Sequence, residues 1–415
     1  MSPSDNKPDA VIVGAGIAGS ALAVSLARSG YSVTLLEKST VHVDRVRGEF
    51  IVPWGVAEAK TLGILDVLEN AGANYTVRSI PYGEEFSPEV ARKYTVPMDQ
   101  MVPGIQGALN LGHPSICNAL NDAAIGAGAT LLRGVDRIQV KAGRPPQIEF
   151  THSGANHSIS PKIVIGADGR GSAVARQVGF ERHADPIHHI LTGLLVDDAG
   201  EWPADEQSIG VDGDLGFYIF PQGQGRIRLY ATHGLDQRNR FAGDGAVERF
   251  LQAFDRPSLP HRGSLSRARP AGPCHGYPNN DVWIDNPVAP GVVLIGDAAS
   301  HNDPSGRQGI SIALKDARLV SEALEANKAW TPETFAPYAS QRREQMRRIR
   351  FSTRLLAIYR MEFTDEGRRR RRDGRQRMVA DPELMLPFAA MQKGPFAVPS
   401  EVFSKTIWDR LLGDA

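Results

Sequence analysis

The sequence predicts an α/β fold in which a parallel sheet flanked by helices is combined with an antiparallel β-sheet domain and a helical C-terminal region. Three features of the 415 residues predict this fold. An apolar strand, a glycine-rich loop and an Ala/Leu-rich helix follow one another near the N-terminus. Strand-like runs separated by turns fill much of the middle of the chain, and a long helical pattern begins near residue 333. With 41% hydrophobic residues, the chain can bury the cores of two or three domains.

The first of these features is a complete βαβ pattern. Residues 11–13 form a short β-branched strand, the next loop has GxGxxG spacing, and residues 32–36 form a second strand that ends in an acid. Such a Rossmann-type unit binds a dinucleotide: its glycines permit a tight turn, a close approach to the pyrophosphate and close helix–strand packing, and its acid accepts ribose hydroxyls. The residues expected to contact the dinucleotide are Gly14, Ala15, Gly16, Ile17, Ala18, Gly19, Glu37 and Lys38. The pattern does not distinguish NAD from FAD.

Two further stretches repeat the arrangement of an apolar strand followed by glycine and an acid. In PKIVIGADGRGSAVAR, residues 161–176, the strand ends near Asp168 and a helix follows. In GVVLIGDAASHNDPSGRQGISIALKDA, residues 291–317, the strand ends at Gly296 and Asp297. Only one GxGxxG opens a βαβ unit in this chain, so the later loops are expected to serve the same ligand.

The three motifs, GAGIAG, GADGRGSAVAR and GDAASHNDPSGRQG, follow one another within residues 8–345. In order and separation they resemble those of the class A flavoprotein monooxygenases, the group of para-hydroxybenzoate hydroxylase. The resemblance implies a Rossmann-type FAD-binding domain that holds FAD non-covalently, with NADH or NADPH as a transient co-substrate. It also implies that the enzyme uses O₂ to hydroxylate a small aromatic substrate through a flavin C4a-hydroperoxide.

Three other functions are compatible with the same FAD fold. An FAD-dependent reductase or dehydrogenase would not use oxygen, and a flavin-binding redox sensor would not turn over a substrate. A flavin-dependent halogenase is disfavoured, because such enzymes generally carry a WxWxIP stretch and the nearest string here is VWIDNP.

The resemblance assigns roles to individual residues. Asp297 corresponds to the acid that hydrogen-bonds the ribityl chain, and the N–H groups of Gly309 and Ile310 correspond to those that face the N1/O2 edge of the flavin. Arg47 corresponds to an arginine near the flavin and the pyrophosphate, with Arg45 as the alternative. The other cofactor contacts that the resemblance implies are Gly48, His113, Val135, Asp168, Gly296, Pro304, Gly306 and Gln308.

Three of these residues match the family pattern to different degrees. His113 stands where the family usually has a second arginine, so it would reach the pyrophosphate only by hydrogen bonding. Asp168 resembles the residue that bridges the FAD and NAD(P)H regions, although a strand-end acid also fixes the following helix. Val135 matches the family's backbone contact to adenine.

The substrate is expected between the flavin and the antiparallel sheet. In FYIFPQGQGRIRLY, strand alternation places Tyr218 and Phe220 on one face, and we predict that this face contacts the substrate. Core packing is the alternative for both. Arg226 and Arg228 also share a face and could bind an acidic substrate, but solvent exposure is the expected environment of both.

Asp303 and His301 are the candidate catalytic residues. Either side chain could start the removal of a phenol proton, which favours hydroxylation. The alternative for Asp303 is that it braces the turn at Pro304.

The distribution of motifs, strand-like runs and helical patterns along the chain predicts three structural units. A discontinuous FAD-binding domain carries the motifs, a substrate-binding sheet domain is inserted into it, and a helical region follows. Their predicted bounds are 8–75, 108–181 and 286–332 for the first, 76–107 and 182–285 for the second, and 333–415 for the third.

Composition predicts a cytoplasmic protein that acts on small molecules. Lys plus Arg equals Asp plus Glu at 47 each, which gives no reason to expect nucleic acid or a membrane as a partner. The five arginines at 368–372 lack interleaved aromatic residues and are expected to form a solvated helix end. Cys117 and Cys274 lack the spacing of a metal site, and the N-terminus does not resemble a signal peptide. We expect no metal, and a monomer or homodimer.

Overall fold

The computed structural model describes residues 7–46 and 48–413. Its first layer is a six-stranded sheet centred on Ala10–Val13, which pairs in parallel with Ile163–Gly166 and Val33–Glu37. In spatial order the strands are Val288–Ala289, Val292–Leu294, Ile163–Gly166, Ala10–Val13, Val33–Glu37 and Thr130–Arg133. Because the parallel strands end at one edge, the loops that follow the three glycine motifs meet there.

Helices pack on this sheet through a continuous apolar core. The helix Ile17–Arg28 contacts both His113–Gly126 and Gly309–Ala326. Its Ala/Leu-rich sequence suits this position, since ten of its twelve residues are buried and small residues allow close approach.

The second layer is an eight-stranded, largely antiparallel sheet. Along its main path the strands are Arg269–Pro270, His189–Asp197, Arg226–His233, Leu215–Gly223, Glu206–Asp212, Arg78–Ile80 and Val96–Pro97, and His275–Asn279 pairs with His189–Asp197. Arg78–Ile80 runs parallel to Glu206–Asp212, so strands from residues 76–107 and 182–285 lie in one sheet.

The predicted alternation of the strand Leu215–Gly223 is confirmed. Phe217 and Ile219 pack into a core that also contains Phe250 and Phe254. Tyr218 and Phe220 point to the opposite face and join a different apolar cluster.

The C-terminal region is helical, as predicted, with helices Ala336–Met361, Asp365–Ala380, Leu386–Lys393 and Lys405–Leu412. Five apolar side chains of this region are buried: Phe335, Tyr338, Met346, Ile349 and Leu356. The expectation of a solvated arginine run was wrong in part. The run lies inside the second of these helices, where Arg371 is buried because it donates to the Glu84 carboxylate at 3.1 Å and to the Glu362 carbonyl at 2.7 Å.

Shorter elements complete the predicted α/β fold. The other helices are Pro53–Thr61, Leu65–Asn70, Pro88–Arg92, Ala173–Val178, Ala246–Gln252 and Arg262–Ser266. The other strands are Phe50–Ile51, Asn74–Thr76, Ala108–Asn110, Asp136–Lys141, Gln147–His152, Ala155–Ile159, His183–Ala184, Val282–Trp283 and Ser300–His301. Short 3₁₀ helices are Met98–Gln100, Leu235–Gln237, Gly296–Ala298, Pro304–Gly306, Pro332–Phe335, Pro382–Met385 and Ser400–Phe403. Within the described ranges, every helix is too short or too polar to cross a membrane.

Candidate active site

A cavity of about 730 Å³ lies between the edge of the parallel sheet and the antiparallel sheet. The GxGxxG loop lines this cavity, and so do aromatic side chains, among them Phe50, Tyr218, Phe220 and Tyr230. Its volume falls within the range of roughly 300–1,000 Å³ typical of small-molecule and cofactor sites. The cavity therefore connects the predicted dinucleotide site with the predicted substrate site.

The three glycines of the first loop have the predicted geometry. Gly14 adopts φ +103°, and a Cβ there would lie 2.4 Å from the carbonyl oxygen of Ala167. A Cβ on Gly19 would lie 2.1 Å from the carbonyl oxygen of Gly14, so only glycine permits this packing. Gly16 lines the cavity, and a Cβ on it would have no atom within 4 Å. The open face at Gly16, beside the N-terminus of the first helix, fits a pyrophosphate.

Glu37 holds the glycine loop in place. Its carboxylate accepts the N–H groups of Ala15 and Ser39, each at 2.8 Å, and the residue also lines the cavity. A carboxylate has about four lone-pair positions, so acceptor capacity remains for ribose hydroxyls. Val135 donates its N–H to the Glu37 carbonyl at 3.0 Å. A backbone contact from Val135 to adenine would therefore be made through its own carbonyl.

Asp168 caps the helix Ala173–Val178. Its carboxylate accepts the Ser172 hydroxyl at 2.6 Å and the N–H of Ala173 at 2.6 Å. These contacts match the simpler of the two interpretations of Asp168, in which the acid fixes the following helix. Asp168 also lines the cavity, and its contact with a nucleotide stays a prediction.

The third motif meets the first. Gly296 adopts φ +58°, and a Cβ there would lie 2.9 Å from the Cβ of Ala18 in the first helix. Asp297 lines the cavity, with its carboxylate 3.5 Å from the Arg170 Nε. A Cβ on Gly309 would be 4.0 Å from the Asp297 Oδ1, which places the start of the helix Gly309–Ala326 beside this carboxylate. The Asp297 carboxylate and the N-terminus of the helix Gly309–Ala326 thus face the same part of the cavity.

A buried ion pair that sequence reasoning missed fixes this turn. The Asp316 Oδ2 accepts the N–H of Gly296 at 2.8 Å and the Arg342 Nε at 2.9 Å, and the Arg342 Nη2 donates to the Gly296 carbonyl at 3.1 Å. Both charged side chains are buried. The sequence spacing could have indicated that Arg342 is buried. It lies four residues from both Tyr338 and Met346, which places it on the same, buried side of its helix.

Most of the predicted cofactor residues line the cavity: Gly14, Gly16, Ile17, Ala18, Glu37, Lys38, Gly48, His113, Val135, Asp168, Asp297, Pro304, Gln308, Gly309 and Ile310. Ala15, Gly19, Gly296 and Gly306 lie behind its wall. Arg47 falls outside the described residues, and its alternative, Arg45, lines the cavity.

Two members of this set are held by contacts of their own. His113 begins the helix His113–Gly126 and donates its N–H to the Glu49 carboxylate at 3.4 Å. Gln308 accepts the Trp54 indole N–H at 2.9 Å and donates to the Met391 carbonyl at 2.9 Å, which anchors the loop after Pro304.

The candidate catalytic residues lie behind the cavity wall. Asp303 is buried, and its Oδ1 accepts the N–H of Ser305 at 2.8 Å, which braces the Pro304 turn. Its Oδ2 lies 3.3 Å from the His188 Nε2 and 3.6 Å from the His189 Nδ1. Burial, followed by the charge of Arg170, lowers the pKa of His301 to about 4, so this imidazole is neutral at pH 7. The bracing alternative fits the geometry of Asp303, and catalysis by either residue stays a prediction.

The expected exposure of Arg228 was wrong. Arg226 is exposed and pairs with Asp197, but Arg228 is fully buried. Its guanidinium donates to both carboxylate oxygens of Glu49, at 2.6 and 2.8 Å, and to Asp44 at 2.6 Å. Arg228 can be buried here because Asp44 and Glu49, from the segment that precedes the strand Phe50–Ile51, compensate its charge.

Comparison with known proteins identifies the fold family. The family model described as the FAD binding domain matches residues 7–350. The chain belongs to the class A flavoprotein monooxygenase family. It is an FAD-dependent oxidoreductase of that family, and the cofactor predicted from the three motifs is confirmed as FAD.

Individual members of this fold that resemble the chain differ in reaction. Digeranylgeranylglycerophospholipid reductase 1 of Methanococcoides burtonii is 26% identical over 326 residues, which cover 77% of this chain and 74% of the relative. Among solved structures, p-nitrophenol 4-monooxygenase from Pseudomonas putida superposes with a TM-score of 0.75 and 17% identity, covering 98% of each chain. The flavin-dependent brominase Bmp2 gives a TM-score of 0.75 and 18% identity, covering 97% of this chain and 99% of the other. At these identities the structures support the fold alone, so the reaction must be argued from the site.

Proposed function

We propose that this flavoprotein is a monooxygenase that uses NADH or NADPH and O₂ to hydroxylate a small aromatic substrate. The observation that carries the proposal is the single cavity that joins the glycine loop at Gly16, the turn at Asp297 and a wall of buried aromatic rings. In the overall reaction one oxygen atom enters the arene, the other leaves as water, and NAD(P)H supplies the two electrons.

The residues of the cavity fit FAD along its length. Bound FAD would supply the electron transfer and the oxygen chemistry. The open face at Gly16 would admit the pyrophosphate, and the Asp297 carboxylate would accept ribityl hydroxyls. The N–H groups of Gly309 and Ile310, at a helix N-terminus, would donate to negative charge on the ring.

The aromatic end of the cavity suits a flat, apolar substrate. Phe50 and Phe220 stack with ring centroids 4.8 Å apart and an interplanar angle of 22°. Tyr218 and Tyr230 complete this wall and are also buried. Such walls orient an arene and exclude water, which strengthens the electrostatic interactions inside the site.

The similarity to digeranylgeranylglycerophospholipid reductase 1 favours a second candidate function, that of a reductase. Incorporation of oxygen into the product distinguishes the proposed monooxygenase from such a reductase. The FAD-loaded protein would be screened with phenols, indoles, quinolines and polyketide aromatics for stimulated NAD(P)H oxidation. We expect a hit to consume O₂ and to yield a product that carries ¹⁸O from ¹⁸O₂. Reduction of a hit under anaerobic conditions, with no ¹⁸O in any aerobic product, would replace the proposal with the reductase.

A further inference from the structure

Three side chains that can bind a metal ion meet behind the cavity wall. His188 directly precedes the strand His189–Asp197 of the antiparallel sheet, and His189 begins it. Asp303 belongs to the loop of the third glycine motif and caps the short helix Pro304–Gly306. One nitrogen of each imidazole and one carboxylate oxygen lie within 4.8 Å of one another. Two imidazoles and a carboxylate form a donor set that binds divalent transition metals such as zinc.

The Asp303 carboxylate is buried with one oxygen unused. Only 1% of the surface of this residue is exposed, and its Oδ1 accepts the N–H of Ser305. Its Oδ2 accepts no hydrogen bond from any residue in the described ranges, although two imidazole nitrogens lie close to it. A buried carboxylate oxygen without a donor or a cation is costly. The Asp303 Oδ2 is therefore available as a metal ligand.

The distances around the Asp303 Oδ2 match a tetrahedral metal site. This oxygen lies 3.3 Å from the His188 Nε2 and 3.6 Å from the His189 Nδ1. Ligand atoms held at about 2.0–2.1 Å from a tetrahedral zinc ion are about 3.3–3.4 Å apart. Neighbouring ligands of an octahedral magnesium ion, at similar bond lengths, are only about 2.9 Å apart. The spacing therefore favours a tetrahedral ion of the zinc type.

The surroundings of the three side chains leave room for such an ion. The Asp281 Oδ1 accepts the Asp303 N–H at 2.7 Å, which fixes the position of Asp303 and adds a second buried carboxylate to this region. The side chain of His188 is 39% exposed, so an ion can enter from solvent and keep water as a fourth ligand. The Nδ1 atoms of His188 and His189 lie 2.9 Å apart, and metal binding at the His189 Nδ1 would replace this hydrogen bond.

We propose that His188, His189 and Asp303 bind one divalent transition-metal ion of the zinc type. None of the three lines the cavity in the described part of the chain, so the inference goes beyond the proposed reaction. The ion would join the antiparallel sheet to the loop that places Pro304 and Gln308 in the cavity wall. The sequence did not predict this metal, because the two histidines and Asp303 lie far apart in the chain and meet only after folding.

Zinc binding to the FAD-loaded protein tests this inference. The protein, without a histidine tag, is freed of metal with EDTA, and Zn²⁺ is titrated by calorimetry at pH 7 in the presence of a competing chelator. We expect one Zn²⁺ per chain, which excess Mg²⁺ does not displace, because magnesium prefers oxygen ligands. His188→Ala and Asp303→Asn should each raise the Kd for Zn²⁺ by at least about tenfold, the smallest cost typical of losing a group that only orients a ligand.

His183→Ala is the matched control. The side chain of His183 is 36% exposed and lies 3.4 Å from the Asp285 carboxylate, but it lacks a second histidine and a buried acid. This variant should bind Zn²⁺ as tightly as the wild type. Urea unfolding in EDTA reports the metal-free protein, and added Zn²⁺ should raise the unfolding midpoint of the wild type but not that of His188→Ala.

Four results would overturn the inference. The wild type binds no Zn²⁺ in a one-to-one ratio, Mg²⁺ displaces the bound Zn²⁺, His188→Ala retains the wild-type affinity, or His183→Ala weakens binding as much as His188→Ala does. Because His188 is partly exposed, its variant should fold even if Asp303→Asn, which alters a buried brace, does not. Since the readout is metal binding, the outcome is independent of whether an aromatic substrate is hydroxylated.

Discussion

Asp297 is the residue on which retention of FAD should depend most directly. Its carboxylate lines the cavity beside Gly309 and lies 3.5 Å from the Arg170 Nε. We expect Asp297→Asn to raise the Kd for FAD by roughly 10–100-fold, because a ribityl hydroxyl loses a charged acceptor. Fluorescence titration of the FAD-free protein measures this, with Asp198→Asn at an exposed ion pair as the control. An unchanged Kd would remove Asp297 from the site.

Asp281 should make the stability of the protein depend on pH. Burial, and then the charges of Asp303 and Asp185, raise its pKa from 3.8 to about 7, against a hydrogen bond from the Asp303 N–H that lowers it. Between these values the folded state holds a proton that the unfolded state releases, so the free energy of unfolding falls as pH rises.

Asp281→Asn should remove this fall, because the amide is neutral throughout and its oxygen can still accept the Asp303 N–H. We expect the FAD-loaded variant to gain on the order of 2–4 kcal/mol over the wild type at pH 8, and little at pH 4. Urea unfolding at both values measures the gain, with the exposed Asp99→Asn as the control. Equal effects at both pH values would contradict the assignment.

Some individual residues could be predicted from the sequence and others could not. The left-handed turn at Gly14 and the close contact of Gly19 with the Gly14 carbonyl follow from local backbone geometry, which the spacing of the motif already encodes. The burial of Arg228 does not, because its partner Glu49 lies 179 residues away in the chain. The position of Asp303 behind the wall likewise depends on His188 and His189, at the start of the strand His189–Asp197, which no local pattern connects with it.

At the scale of elements, the C-terminal helix Ala336–Met361 is tied to the cofactor turn by the Arg342–Asp316 pair. Removing one partner of a buried pair leaves the other charge uncompensated, so Arg342→Leu should cost about 3–5 kcal/mol of unfolding free energy. The same variant should bind FAD more weakly, because Arg342 also holds the Gly296 carbonyl. Urea unfolding and FAD titration measure the two effects.

A double variant and a neighbouring control make this prediction specific. Arg342→Leu combined with Asp316→Leu should recover much of the lost stability, since no unpaired charge remains buried. Arg343→Leu, one position along the same helix and exposed, should change stability by less than about 0.5 kcal/mol. A double variant as unstable as the single one would show that the pair contributes only by packing.

The faces of strands were more predictable than the course of loops. Alternation separates Tyr218 and Phe220 from Phe217 and Ile219 in any strand, so the sequence predicts two faces. Which face meets the cavity is set by packing, since the helix Ala246–Gln252 and the residues after it cover the other side. The loop that carries Arg307 has no such period, so its course could not be predicted from the sequence.

At the scale of the whole molecule, the two sheets are joined around one cavity. The Arg228–Glu49 pair links the antiparallel sheet to the segment that enters the helix Pro53–Thr61. Strands from residues 76–107 and 182–285 meet in that sheet. The sequence pattern suggested that these two separate segments belong together. The way in which the two sheets are held together depends on pairing between residues far apart in the chain, which no single stretch of sequence encodes.

One GxGxxG loop and one parallel sheet in the described residues predict one tightly held dinucleotide per chain. A ligand that binds only the folded state stabilises it by RT ln(1 + [L]/Kd), so FAD at 100 times its Kd should add about 2.7 kcal/mol to the unfolding free energy. NADPH at the same concentration should add far less, because it is expected to visit the site only transiently. Urea unfolding of the FAD-free protein with each ligand, and then with both, measures these terms. Stabilisation by NADPH equal to that by FAD, and additive with it, would require a second dinucleotide site and contradict the shared cavity on which the proposed reaction depends.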